Sequence, residues 1–384
     1  MLRQSLALTA IAAFSMPAPA QVEFKVGGRI HNDWSALSGD DDLKTAGRSF
    51  EDGNEFRRAR LNVKGTIGDN LEFKVQYDFG GDHANFKDVY FKDVYLGLKG
   101  LPGNGKFRVG HFKEPIGLEE QTSSNNISFM ERSLRNSLSP VRNTGFMYKG
   151  ASDTKSMTYA AGIFRDTDSY GNSKGDGEYN VTARVTGTPI YEDGGTHLVH
   201  LGVAASLRSP NDDEVSYKDN RSMHLAPNLS EFTAGLTADE VTLFGLEAAY
   251  LSGPLSVQGE YTQSSVDDAA DSSFDAYYLQ FAYTLTGESR GYKTSDGVFE
   301  GIKPSAAYGS DSGSGAWELV ARHSAIDLSD GGGAALGGGE ISSNTLGLNW
   351  YLNSNVRVMF NLDSTELEDV GTQEGLGVRF QVTF

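Results

Sequence analysis

The feature that most constrains this chain is a two-residue period that runs through nearly all of it. From Leu71 to Phe79, Phe73, Val75, Tyr77 and Phe79 fall on one side of an extended backbone, with Glu72, Lys74, Gln76 and Asp78 on the other. Between Phe274 and Thr286, Tyr277, Leu279, Phe281, Tyr283 and Leu285 oppose Tyr278, Gln280, Thr284 and Thr286. The last ten residues set Leu376, Val378, Phe380, Val382 and Phe384 against Gly377, Arg379, Gln381 and Thr383. Side chains of a strand alternate between its faces, so this pattern predicts strands with one apolar and one polar face. Sixteen such segments start near Val22, Glu55, Leu71, Asp88, Gly105, Asn143, Met157, Tyr179, His197, Glu240, Leu255, Phe274, Gly313, Glu340, Asn355 and Gly375.

The connections alternate in length. Gly68-Asp69-Asn70, Leu101–Asn104, Ser152–Ser156, Ser252-Gly253-Pro254 and Asn353-Ser354 are short; 38–54, 112–142, 166–178, 209–239, 328–339 and 364–374 are long. The segment Arg221–Leu225 reads as loop, and 287–312 is a long connection on the short-turn side. An even strand number with short turns at one end and long loops at the other is the layout of a bacterial outer-membrane barrel. The expected fold is therefore all-β: a transmembrane antiparallel barrel of about sixteen strands. A soluble sandwich of the same strands is the competing architecture. Aromatics near strand ends (Trp34, Tyr95, Trp317, Trp350, Tyr351 and Phe384) fit the girdles of a membrane barrel.

Residues 1–20 stand apart from this pattern. Arg3 precedes an apolar stretch from Ser5 to Met16, and Ala18-Pro19-Ala20 offers a small-x-small cleavage site, so they read as a signal peptide. The remaining 21–384 form one barrel domain, and the chain is expected in the Gram-negative outer membrane. It has 33 Lys+Arg, 51 Asp+Glu and no Cys, a formal charge of −18 that becomes −19 once Arg3 is removed. An acidic chain is a poor partner for nucleic acid, and lack of thiols excludes disulfides and Cys chemistry.

Phasing each strand so that its apolar face meets lipid sorts those charges. Lys25, Arg29, Arg58, Arg60, Lys64, Lys74, Lys106, Arg108, Lys149, Arg184, Arg208, Arg322, Arg357 and Arg379 line the lumen, with Glu23, Asp33, Glu72, Asp78, Asp93, Glu247, Glu260, Glu318 and Asp363. Fourteen cations face nine carboxylates, while Asp40-Asp41-Asp42, Asp212-Asp213-Glu214 and Asp267-Asp268 lie in loops that read as a soluble surface toward lipopolysaccharide. A basic pore wall concentrates anions.

Asn54-Glu55-Phe56-Arg57-Arg58-Ala59-Arg60-Leu61 and the run Val109-Gly110-His111-Phe112-Lys113-Glu114-Pro115-Ile116-Gly117-Leu118-Glu119-Glu120 resemble segments of the phosphate-selective porin O and P family. Phe129-Met130-Glu131-Arg132-Ser133, Phe91–Leu96, Gly301–Pro304 and Gly315–Leu319 extend the likeness. The resemblance implies a homotrimer and a third long loop, 112–142, folded inward as a constriction. It matches Arg57 and Arg58 to an anion-contacting arginine pair, Ser123 and Ser124 to hydroxyl donors, and Asp93 to the acid beside them. Lys293 and Lys303 resemble two lysines that reach into the lumen from a periplasmic-side turn. Glu120 departs from the family, standing where a lysine is expected, and marks a modifier of selectivity. Arg57 alternates out of phase with Arg58, so either face is open to it.

The function expected is passive diffusion of small anions, phosphate or polyphosphate among them. A general or weakly cation-preferring porin, and a secreted β-rich binding protein without a pore, are the alternatives. No His-Glu-x-x-His or phosphate loop is present, and His197 and His200 fall on opposite strand faces. No catalysis, metal or cofactor is expected.

Overall fold

A computed structural model describes residues 21–81, 89–175, 177–229, 236–310, 313–330 and 339–384; the signal peptide read over 1–20 lies outside them. Each strand pairs antiparallel with its chain neighbour: β1 (Val22–Gly39), β2 (Gly53–Ile67), β3 (Leu71–Asp78), β4 (Tyr90–Leu101), β5 (Gly105–Lys113), β6 (Arg142–Ala151), β7 (Met157–Arg165), β8 (Asn180–Glu192) and β9 (His197–Arg208). A two-residue ladder, β10 (Glu214–Val215) with β11 (Leu236–Thr237), lies in the long loop that follows. The series resumes with β12 (Val241–Ser252), β13 (Leu255–Val266) and β14 (Ser273–Thr284). A second small ladder, β15 (Tyr292–Lys293) with β16 (Val298–Phe299), occupies the exceptional connection. β17 (Ala316–Asp327), β18 (Glu340–Tyr351), β19 (Val356–Leu367) and β20 (Gly371–Thr383) complete the wall. β20 pairs back onto β1, Arg29 opposite Thr383, so sixteen strands close a barrel and leave no sheet edge.

Closure explains the inverted distribution of polarity. Phe24, Leu96, Phe146 and Leu346 are each more than half exposed on the outer face, whereas Arg184, Gln258, Gln280, Arg357 and Arg379 are buried on the inner one. Hydrocarbon supplies no hydrogen bonds, so the apolar face turns to lipid and polar side chains pair within the lumen. Tight turns close one end: Gly253 takes φ +56° in Ser252-Gly253-Pro254, and Gly103 and Asn104 take φ +62° and +50°.

Two of the expected girdle residues face inward. Tyr95 sits under the Arg108 guanidinium, 4.3 Å from its ring centroid, and the Tyr351 hydroxyl donates to Glu318 at 2.8 Å. Each is placed on the lumen face by the alternation of its own strand; nearness to a strand end says nothing about face. Trp317 and Trp350 do stack on the outer surface, ring centroids 5.1 Å apart.

Candidate functional site

The site is built where the segment between β5 and β6 meets the basic wall of β1–β6. This segment carries a short helix, α1 (Leu118–Gln121), and a 3-10 turn over Leu134–Leu138. It touches inner-face residues of strands on widely separated parts of the barrel. The Leu118 and Glu119 amides donate to Glu260 on β13, at 2.8 and 2.6 Å. Arg322 on β17 lies 3.3 Å from Glu119, Asn349 on β18 donates to the Ser128 carbonyl, and Arg357 on β19 to the Ile127 carbonyl, both at 2.8 Å. Further along the same arc of the wall, with only β20 between it and β19, β1 supplies Arg29, which donates to Ser124 Oγ at 2.7 Å, and His31, which pairs with Asn125 at 3.2 Å.

Two bulges shape the cationic wall. On β1 the consecutive residues His31 and Asn32 pair with Arg58 and Phe56, so Arg57 is an extra residue on β2. A bulge re-aims a side chain and bends the strand. Arg57 and Arg58, which strict alternation would send to opposite faces, therefore both reach Glu131, with contacts between 2.9 and 3.2 Å. Across β3 and β4, Val75 pairs with Val94 but Tyr77 with Phe91, which brings both Lys92 and Asp93 to the inner face.

The resulting cavity, about 340 Å³, is lined by nine cations (Arg29, Arg57, Arg58, Arg60, Lys74, Lys92, Lys113, Arg132 and Arg142) and three carboxylates (Asp93, Glu120 and Glu131), with Ser123 and Ser124. Eight of the nine cations have a carboxylate within 4.0 Å. Arg60 pairs with Asp78 at 2.6 Å, with Lys92 3.9 Å from the same acid. Asp93 sits between Lys74 and Arg142, at 2.5 and 2.8 Å. Arg29 has no carboxylate at ion-pair distance among the described residues; it reaches only Ser123, at 3.5 Å, and Ser124. A second cavity of about 410 Å³ shares Lys74, Asp93, Lys113 and Ser123 with the first and adds Lys64, Arg108, Lys149 and Lys293. Lys293 is half exposed there, 2.5 Å from Asp296, which also pairs with Lys149 at 2.6 Å.

Lys303 does not join them. It is exposed and lines neither cavity, because neighbouring Ile302 is buried against Ala316 and Tyr351 and turns the lysine away. Glu120 is fully buried, its oxygens 2.9 Å from Lys113 Nζ and 3.1 Å from Arg132 Nε. Burial pushes its carboxyl up, but the charges of Arg132, Lys113 and Arg142 overcome this and hold it at about 2. Glu131 is likewise held well below the usual carboxylate range, burial being outweighed by Arg57, Arg58 and Arg379.

Arg29, Lys92 and Glu131 are site residues that motif reading did not single out. Arg29 was legible as a lumen cation, whereas Lys92 depends on a bulge and Glu131 on the path of an aperiodic segment.

The phosphate-selective porin O and P family matches residues 24–384 of this chain. The chain belongs to that family. It is an outer-membrane porin. Porin O of Pseudomonas aeruginosa is 30% identical over 373 residues, covering 88% of this chain and 82% of that protein. Among solved structures, the porin resembles the anion-selective porin from Comamonas acidovorans at TM-score 0.58 and 15% identity, over 95% of this chain and 100% of that one. The channel DcaP of Acinetobacter baumannii also gives 0.58, at 11% identity over 97% and 100%. The trimer form of OmpT from Vibrio cholerae gives 0.55, at 14% identity over 94% and 99%. At such identities these likenesses concern the fold.

Proposed function

We propose that the porin passes small anions, inorganic phosphate among them, through the two basic cavities, and that the segment 112–142 narrows the path between them. The observation that carries this reading is the lining of the first cavity, nine cations against three carboxylates, inside a chain of net charge −18. In a lumen walled by protein and lipid, the field of those cations is focused and raises the local anion concentration. Arg29, Ser123 and Ser124 form the least compensated part of the site, a guanidinium with two hydroxyls and, among the described residues, no acid at ion-pair distance. Arg57, Arg58, Arg60 and Lys293 then supply a sequence of charge contacts rather than one deep well, while Asp93 holds Lys74 and Arg142 in place. Passage requires binding weak enough for release, and no bond is made or broken.

In a planar bilayer under a KCl gradient, the reversal potential is expected to lie on the chloride side, and added phosphate to reduce the chloride current. A potential on the potassium side would overturn the anion reading. An anion-selective channel that ignores phosphate would remove phosphate as a ligand.

The family and the trimer form of OmpT support a homotrimer here, with the outer apolar band set in outer-membrane lipid. Residues 1–20 are proposed to be cleaved on export. Mass spectrometry of protein extracted from outer membranes should find Gln21 as the first residue; an intact Met1 or Leu2 start would contradict it.

A further inference from the structure

The guanidinium pair facing the solute path already holds a carboxylate. Glu131 Oε1 lies 3.0 Å from Arg57 Nε and 3.0 Å from Arg58 Nη1; Oε2 accepts from Arg58 Nη2 at 2.9 Å and from Arg57 Nη2 at 3.2 Å. Two oxygens in a fork against planar donors is also how guanidinium groups hold phosphate. Glu131 has a third partner, Arg379 Nη2 at 2.7 Å from Oε1, and Arg379 is separately held by both oxygens of Asp33 at 2.6 Å. Three arginines and two carboxylates leave this cluster with an excess positive charge.

The fork opens on the cavity. The Arg57 side chain is 20% exposed, against 4% for Arg58. The backbone beside Glu131 is anchored independently: Arg379 donates to the Met130 carbonyl, and Arg132 donates to the carbonyls of Glu119, Glu120 and Thr122. The carboxylate can therefore leave the fork by side-chain rotation, without moving the segment.

We propose that Glu131 is a tethered counter-ion that competes with the permeating oxyanion for Arg57 and Arg58. This rests on the reading of the cavity as the anion path. An incoming oxyanion with two forked oxygens takes the contacts to the arginine pair while Glu131 keeps Arg379. The return of the tethered carboxylate, present at high effective concentration, then displaces the solute. Affinity is thereby lowered and release made faster.

The test is Glu131→Gln in a planar bilayer, with inorganic phosphate blocking the chloride current. Glutamine keeps the size and leaves the fork without its anion. Block is expected to tighten by about tenfold or more, because hydrogen bonds to charged groups are exchanged without a resident competitor. A residue that only staples the segment to the wall gives the opposite sign: the same variant loosens the constriction, and block weakens or stays unchanged. Either result overturns the proposal. Glu131→Asp keeps the charge and retracts it by one methylene; a smaller tightening is expected, and its absence counts against the proposal even if the glutamine variant fails to assemble. A wild-type channel selective for potassium would instead strike the anion reading itself.

Discussion

Replacing Arg57 and Arg58 together by alanine is expected to weaken phosphate block of the chloride current by about 100-fold or more and to lower, without reversing, the anion preference. Hydrogen bonds to charged groups contribute about 1.5–3 kcal/mol each, so two lost guanidinium forks correspond to at least that factor. Selectivity survives because Arg29, Arg60, Lys74, Lys92, Lys113, Arg132 and Arg142 still outnumber the carboxylates of the cavity. The single variants should differ. Arg57 is the more exposed of the two and is expected to carry more of the solute contact; Arg58, more buried, is expected to carry more of the attachment of Glu131. Dose–response of block by phosphate measures both, and a double variant with unchanged block would place the phosphate contacts elsewhere in the lumen.

The second large effect concerns Glu120. Changing it to lysine restores the residue type that the family resemblance leads one to expect, yet the surroundings forbid a simple swap. The position is fully buried between Lys113 and Arg132, so Glu120→Lys would set three cations against one another. Breaking a buried pair by removing one partner costs about 3–5 kcal/mol, and a third like charge adds to this. The expected result is a marked fall in the temperature at which the folded barrel loses its heat-modifiable migration. Glu120→Gln should fall less and carry more anion current, since Lys113 and Arg132 are freed from their acid. A lysine variant as heat-resistant as the wild type would mean that the side chain escapes the burial seen here.

Acid gives a graded version of the same experiment. The carboxyl of Glu120 is depressed from 4.5 to about 2, so its stabilising contribution is complete above pH 4.5 and is lost as the pH falls toward 2. The wild-type unfolding temperature should drop across that window more steeply than that of Glu120→Gln. Parallel curves would remove Glu120 from the acid response.

What could be read in advance follows from periodicity. The strands beginning at Leu71, Gly105, Met157, His197 and Leu255 start at the residues where alternation begins. The small ladders at Glu214–Val215 and Tyr292–Lys293 escaped, because two residues carry no period. At the site, alternation correctly sends Arg29, Arg58, Arg60 and Lys74 inward, then fails at the bulges that turn in Arg57 and Lys92. The segment between β5 and β6 obeys no repeat at all. Its course is decided by contacts such as Leu118 to Glu260, far apart in the chain, so the meeting of Glu131 with the arginine pair could not be inferred from spacing.

That same segment has a mechanical consequence. A sheet one layer thick, rolled into a tube, deforms most easily by flattening its cross-section under lateral pressure. Here the segment is fastened along one run of neighbouring strands: to β13 and β17 through Glu260 and Arg322, to β18 and β19 through Asn349 and Arg357, and to β1 and β2 through Arg29 and Arg58. It backs that arc as an inner layer, and squeezing the wall there loads its charged fastenings before the aperture changes. The open channel should therefore show one sharply defined current level, with little dependence on the thickness or tension of the surrounding bilayer.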